Sequence, residues 1–146
     1  MRIDGITPDQ RLLDLQHASY AIEAELIGDD RIPPLQENLE GLLAAGELRW
    51  LGAFDAEDRL VGAVAWEETA ELVDLNRLVV DPAALRQGIG LALVKEVLAR
   101  AGERRVEVST GRDNAPARRL YERLGFTGLG DVEVIPGLWI TSYAKS

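Results

Sequence analysis

The sequence predicts a mixed α/β (α+β) domain built on a central, mainly antiparallel sheet with helices on both faces. Three observations carry this reading: two N-terminal segments with helical spacing, a run of strand-like segments from Leu48 to Val80, and a strand, glycine loop, helix, strand unit from Leu72 to Thr110. At 146 residues and 47% hydrophobic content the chain is sized for one core, so a single domain over residues 1–146 is expected.

Taken in order, Leu12, Leu15, Ala18, Ser19 and Ile22 recur near helical spacing after Thr7, which reads as the cap, with Pro8 in the first turn. The Pro33 and Pro34 pair breaks the chain, and Leu35, Leu39, Leu42 and Leu43 then read as one further helix stopped by Gly46. Leu48 to Phe54 and Leu60 to Glu67 read as a hairpin around Asp55 to Asp58, and the continuous apolar run Leu60 to Trp66 predicts burial on both sheet faces. A strand over Leu72–Val80 ends at Pro82. Ile89, Val94, Val97, Leu98 and Ala101 form a helical stripe closed by Gly102, and Val106 and Val108 alternate with Arg105 and Glu107 as in a half-buried strand. A last helix starts at Asn114 with Pro116 in its first turn and stops at Gly125. Two strands then close the chain around Pro136 and Gly137.

Composition removes several classes of chemistry. There is no cysteine, which excludes disulfides and a cysteine nucleophile, and His17 is the lone histidine, which argues against a histidine metal site; no metal is expected. The formal net charge of −9 disfavours nucleic acid and favours cationic partners, although it also serves solubility. No apolar run reaches the roughly 18 residues of a membrane span, and Asp4 and Asp9 stand where a signal peptide would be basic and then apolar, so a cytoplasmic protein without membrane association is expected.

The loop Arg86, Gln87, Gly88, Ile89, Gly90 follows a strand and opens a helix. Glycines there allow close approach of a ligand, and a helix start presents free amides and the positive dipole end to an anion. By itself such a pattern is also an ordinary tight turn. It is not a P-loop, since Leu91 and Ala92 follow Gly90, nor a dinucleotide fingerprint, since Leu93 stands at the third small position. With the strand end Leu78, Val79, Val80, Asp81, Pro82 before it, the loop resembles motif A of the GNAT N-acetyltransferase superfamily. The stretch from Asn114 through Leu120, Tyr121, Glu122, Arg123, Leu124, Gly125 to Phe126 resembles that family's motif B. The match covers about residues 60 to 127, with one departure: motif A begins with Leu85 where the family has Gln or Arg, and Arg86 follows one place later.

The resemblance implies a GNAT acyl-CoA N-acyltransferase fold with splayed central strands, and an enzyme that uses acetyl-CoA to acetylate a primary amine, with a small molecule as the expected acceptor. The alternatives are a non-catalytic acyl-CoA-binding module and an acetylase of peptides or proteins. It further implies that the backbone of Leu78, Val79 and Val80 meets the pantetheine arm, that Arg86, Gln87, Gly88, Ile89 and Gly90 hold the diphosphate, and that Asn114 hydrogen-bonds the cofactor. Tyr121 would be the acid for the leaving thiolate. Many relatives are dimers, so a homodimer is compatible.

A neutral amine is needed for attack, so a carboxylate is expected as base among Glu67, Glu68, Glu71 and Asp74. Asp74 is preferred: it lies fourteen residues before Gly88, as the glutamate base does in relatives of the histone-acetyltransferase type. Strand alternation also predicts that Asp74 and Asn76 share a face with Leu78 and Val80. For Asn114 a helix cap, for Tyr121 a core aromatic, and for the glutamates a solvated hairpin tip are the structural alternatives. His17, Tyr20 and Arg31 fall in the segment that shapes the acceptor pocket in the family.

Overall fold

The computed structural model describes residues 1–44 and 46–146. A seven-stranded sheet runs in the order β1-β2-β3-β4-β5-β7-β6. Its strands are β1 (Arg2–Gly5), β2 (Arg49–Phe54), β3 (Leu60–Glu68), β4 (Leu72–Val80), β5 (Arg105–Gly111), β6 (Thr127–Ile135) and β7 (Leu138–Lys145). The helices are α1 (Gln10–Ile27), α2 (Pro33–Gln36), α3 (Leu39–Ala44), α4 (Ile89–Ala101) and α5 (Ala115–Arg123). Every neighbouring pair of strands is antiparallel except β4 and β5. Those two are parallel because α4 carries the chain back between them, which only a long crossover can do. Among the described residues no helix is long and apolar enough to cross a membrane.

The apolar run of β3 is buried from Leu60 to Trp66, since both faces of the sheet are covered. On one face α4 packs Ile89, Leu93, Val94 and Val97 against Val64, Val73 and Val106, with Tyr121 and Phe126 joining from α5 and the loop after it. On the other, Leu12, Leu13, Leu15 and Leu42 of α1 and α3 cover Trp50, Ala63, Ala65 and Val79. A side chain at Gly62 would meet Ile89 Cγ2 at 2.6 Å, so the start of α4 rides directly on the β3 backbone.

Four details differ from the sequence reading. Asp9, not Thr7, caps α1: its carboxylate accepts from the Leu12 amide at 3.0 Å, and Pro8 lies outside the helix. The expected single helix over Leu35–Leu43 is two short ones, because Glu37 is extended and leaves the helical path, while Asn38 restarts the turn by accepting from the Gly41 amide at 2.8 Å. The Pro33 and Pro34 pair opens α2 rather than separating it from α1. The edge strand β1 carries no alternation and was not anticipated.

The diversion of Glu37 has a clear cause. Arg77 of β4, 11% exposed, donates to both Glu37 oxygens at 2.5 and 3.1 Å and to Gln16 Oε1 at 3.0 Å. Gln16 in turn donates to the Pro34 carbonyl at 2.8 Å and to Glu37, and His17 Nε2 donates to the Glu37 carbonyl at 2.6 Å. Burial raises the Glu37 carboxyl, but Arg77 and Gln16 outweigh it and hold it below its ordinary 4.5. A carboxylate depressed in the folded state stabilises above its unfolded pKa and loses that contribution as pH falls through the folded one. Glu37→Gln is therefore expected to cost about 2–3 kcal/mol at neutral pH by leaving Arg77 underpaired. In denaturant unfolding the gap between wild type and variant should narrow below pH 4.5, and a gap independent of pH would count against the ion pair.

Candidate active site

β4 and β5 pair only from Leu72 opposite Arg105 to Leu75 opposite Val108. Beyond that point β4 continues along β3, β5 continues along β7, and the two part. The register on β3 shows why: Ala65 faces Arg77 and Trp66 faces Leu75, so Asn76 is an extra, bulged residue that bends β4 away. The bulge also shifts the side-chain phase by one. Val73 and Leu75 before it, and Leu78 and Val80 after it, face the α4 core, while Val79 faces the α1 core. This corrects the expectation that Asp74 shares a face with Leu78 and Val80: strict alternation fails at Asn76, and Asp74 lies on the opposite face.

The parted edge leaves backbone groups open. The Asp81 amide donates to Val61, so by alternation Val79 spends its groups on β3, and Leu78 and Val80 turn theirs toward the gap. The Val80 amide is held there by Ser19 Oγ at 3.1 Å.

Beside the gap lies the loop that opens α4. Gly88 adopts φ +76°, its added side chain would meet nothing within 4 Å, and Arg86 is also left-handed at φ +66°. The carbonyl of Gly88 receives the Ala92 amide. Arg86 lies in a hydrogen-bonded turn, and among the described residues no amide from Gly88 to Leu91 donates to a protein acceptor. The first turn of α4 holds no acidic residue, so the helix dipole there is uncompensated. The exposed loop thus offers a row of free donors to an anion. Leu85, half exposed, makes no polar contribution.

The gap opens into a cavity of about 260 Å³ between α1, the α1–α2 loop, β4, β5 and the β6–β7 hairpin. Tyr121 and Asn114 line it from α5, Tyr20 and Glu23 from α1, and Asn76 and Leu78 from β4. Asn114 caps α5, accepting from the Ala117 amide at 3.2 Å, so its Oδ1 is committed and its amide nitrogen remains. Tyr121 packs against Phe126 and Tyr143 at centroid distances of 5.5 and 5.9 Å. Its hydroxyl has no hydrogen-bond partner among the described residues, whereas that of Tyr143 bonds Arg118. Burial, then Tyr20, then Glu23 raise the Tyr121 phenol well above its ordinary value, so it is a protonated donor at neutral pH.

The carboxylates anticipated as base lie elsewhere. Asp74 is exposed on β4 with Glu67 opposite on β3 and Glu107 opposite on β5, and burial followed by Glu107 raises its carboxyl. Glu68 is bound to Arg104 and Arg49 and is held low chiefly by Arg104. Glu71 is exposed in the turn before β4. None of the four lines the cavity. Of the other singled-out residues, His17 belongs to the Glu37 network, Arg31 lies at the cavity rim bonded to Asp29 and the Pro136 carbonyl, and Tyr20 faces the cavity. Sequence reasoning missed Glu23 and Arg77. The available signal was a charged residue in line with Tyr20 and Ile27 on the covered side of α1, a position that asks for a partner.

The profile of the acetyltransferase (GNAT) family matches residues 10–126. A curated relative, the UPF0157 protein YqkA of Bacillus subtilis (strain 168), is 33% identical over 135 residues, which is 92% of this chain and 39% of that protein. The chain thus spans about two-fifths of that relative's length. Among solved structures, the PaiA N-acetyltransferase from Thermoplasma acidophilum in complex with coenzyme A has a TM-score of 0.73 at 19% identity, covering 97% of this chain and 98% of that one. The ribosomal-protein-S18-alanine N-acetyltransferase from Escherichia coli has a TM-score of 0.75 at 15% identity, covering 98% and 91%. These likenesses show a shared fold, and with the family match spanning both the parted strands and the loop that opens α4, the chain belongs to the acetyltransferase (GNAT) family.

Proposed function

We propose that this domain transfers an acetyl group from acetyl-CoA to a primary amine of a small-molecule acceptor, by direct attack in a ternary complex. One observation carries the reading: the unpaired amides of Gly88 to Leu91 lie beside the gap between β4 and β5, and the gap ends in the cavity that Tyr121 lines. A diphosphate at Gln87, Gly88, Ile89 and Gly90 would satisfy donors that are otherwise left to water. The edge of β4 at Leu78 and the Val80 carbonyl, left without a β5 partner, suits the amides of a pantetheine arm, which pairs as an added strand would. Asn114 can donate through its free amide nitrogen. Tyr121, kept protonated by burial, supplies the proton for the departing thiolate.

Without cysteine there is no thiol for a covalent acyl-enzyme, which favours direct transfer. Asp74 stands outside the cavity lining, so any part it takes in deprotonation runs through water along the row with Glu67 and Glu107. That acidic row also supports a second reading, in which the acceptor is the amine of a basic peptide.

Calorimetry should detect acetyl-CoA binding, and Gly88→Ala should weaken it while costing about 1–2 kcal/mol of stability, because alanine is strained at that positive φ. Unchanged affinity in the variant would move the diphosphate away from this loop. Tyr121→Phe should leave stability within about 0.5 kcal/mol, since the hydroxyl has no protein partner, and should lower kcat by about 100-fold or more. Thiol release across small amines and basic peptides then separates the two acceptor readings, and acetyl-CoA binding with no release from any of them would leave a binding module.

A further inference from the structure

The cavity poses a question of charge. Its lining holds one carboxylate among the described residues, Glu23, and two arginines that are already engaged. Arg77 is spent on Glu37 and Gln16, and Arg31 on Asp29 and the Pro136 carbonyl. Glu23 Oε1 accepts long contacts from the Gly111 amide at 3.4 Å and the Thr110 hydroxyl at 3.5 Å, so the side chain reaches from α1 to the end of β5. Its Oε2 has no partner among the described residues. Ile27, Ile32, Leu138 and Ile140 line the same cavity and give part of its wall an apolar character, beside the neutral polar groups of Asn76, Ser109 and Asn114.

We propose that Glu23 is the catalytic base, binding the acceptor's ammonium and taking its proton, and that the acceptor is a monocationic primary amine carrying a compact apolar body. This rests on the acetyltransferase reading above. A single uncompensated carboxylate neutralises one positive charge, and among the described lining residues a second ammonium would find no further counter-charge to offset its desolvation. Glu23 also acts electrostatically on both phenols: after burial, it is among the causes that raise Tyr20 and Tyr121. The charged and titratable groups facing it are Tyr20 on its own helix, Tyr121 from α5, Arg77 from β4 and Arg31 from the α1–α2 loop. The lining residues of β5 and the β6–β7 hairpin contribute none.

In the proposed sequence one ammonium proton passes to Glu23. The nitrogen lone pair attacks the thioester carbonyl carbon, forming the N–C bond and moving the carbonyl pair onto oxygen. Collapse breaks the C–S bond, the pair leaves on sulfur, and Tyr121 protonates it. The nitrogen's surplus proton restores Tyr121, and the proton on Glu23 leaves to water, so one proton is released per turnover.

The test compares wild type, Glu23→Gln, Glu23→Asp and Asp74→Asn, using acetyl-CoA with butylamine, phenethylamine, putrescine and spermidine, with thiol release as the readout. Wild type should prefer the monoamines by about tenfold or more in kcat/KM. Glu23→Gln should lose about 100-fold or more at neutral pH while binding acetyl-CoA with unchanged affinity. Its deficit should shrink as pH approaches the amine's own pKa, because an amine already neutral needs no base. Glu23→Asp keeps the charge and should retain part of the pH dependence even if Glu23→Gln folds poorly. The proposal is overturned if the loss in Glu23→Gln is the same at every pH, if its kcat/KM stays within about threefold of wild type, if Asp74→Asn carries the pH-dependent loss instead, or if the polyamines are preferred. Wild type that binds acetyl-CoA yet releases no thiol with any amine would instead refute the acetyltransferase reading itself, and Glu23's role with it.

Discussion

The one extra residue at Asn76 is the constraint on which the rest of the molecule depends. A parallel pair such as β4 and β5 would ordinarily stay hydrogen-bonded to its end, and a closed sheet would leave no space at its centre. The bulge turns β4 away after Leu75, so the pair separates and leaves Leu78 and Val80 without a β5 partner, the Val80 amide turning to Ser19 Oγ instead. The cost is local, a few ladder bonds. The gain is a slot through the middle of a packed sheet that needs no large loop or second domain to form it.

The same bulge decides where charge goes. Without it, Arg77 would share the phase of Val73 and Leu75 and face the α4 core, where a guanidinium has no partner. With it, Arg77 turns to the α1 side and meets Glu37 and Gln16. That meeting draws Glu37 out of helical geometry, divides the second helix in two, and ties α2 to α1 at the cavity wall. A buried ion pair repays its desolvation poorly unless its remaining donors and acceptors are satisfied, and here Gln16, His17 and the Pro34 carbonyl supply the additional bonds. The network is better understood as a positioning device for the cavity wall than as a source of stability.

At the other side of the gap the fold leaves donors unpaired, which is ordinarily unfavourable. The loop before α4 avoids the penalty of burial by staying exposed, with Arg86 and Gly88 both left-handed. A protected cavity of mixed polarity and an open, polar cradle thus lie at the two ends of one slot, the arrangement expected for a ligand with a charged tail and a reactive head.

Much of this was legible in the residues. The apolar run Leu60 to Trp66, the span of β4, the α4 stripe from Ile89 to Ala101, the Asn114 start of α5 and the Pro136–Gly137 hairpin each follow from local patterning, because periodicity and turn chemistry act over a few neighbours. The Gly88 loop was legible for the same reason, since a positive φ ahead of a helix asks for glycine. What the sequence could not express was phase and juxtaposition. A bulge at Asn76 has no local mark, yet it alone sends Asp74 to the far face and Arg77 to Glu37. Glu23 reaches Thr110 and Gly111 across eighty-seven and eighty-eight positions of chain, a proximity that only the packing of α1 on the parted sheet could create.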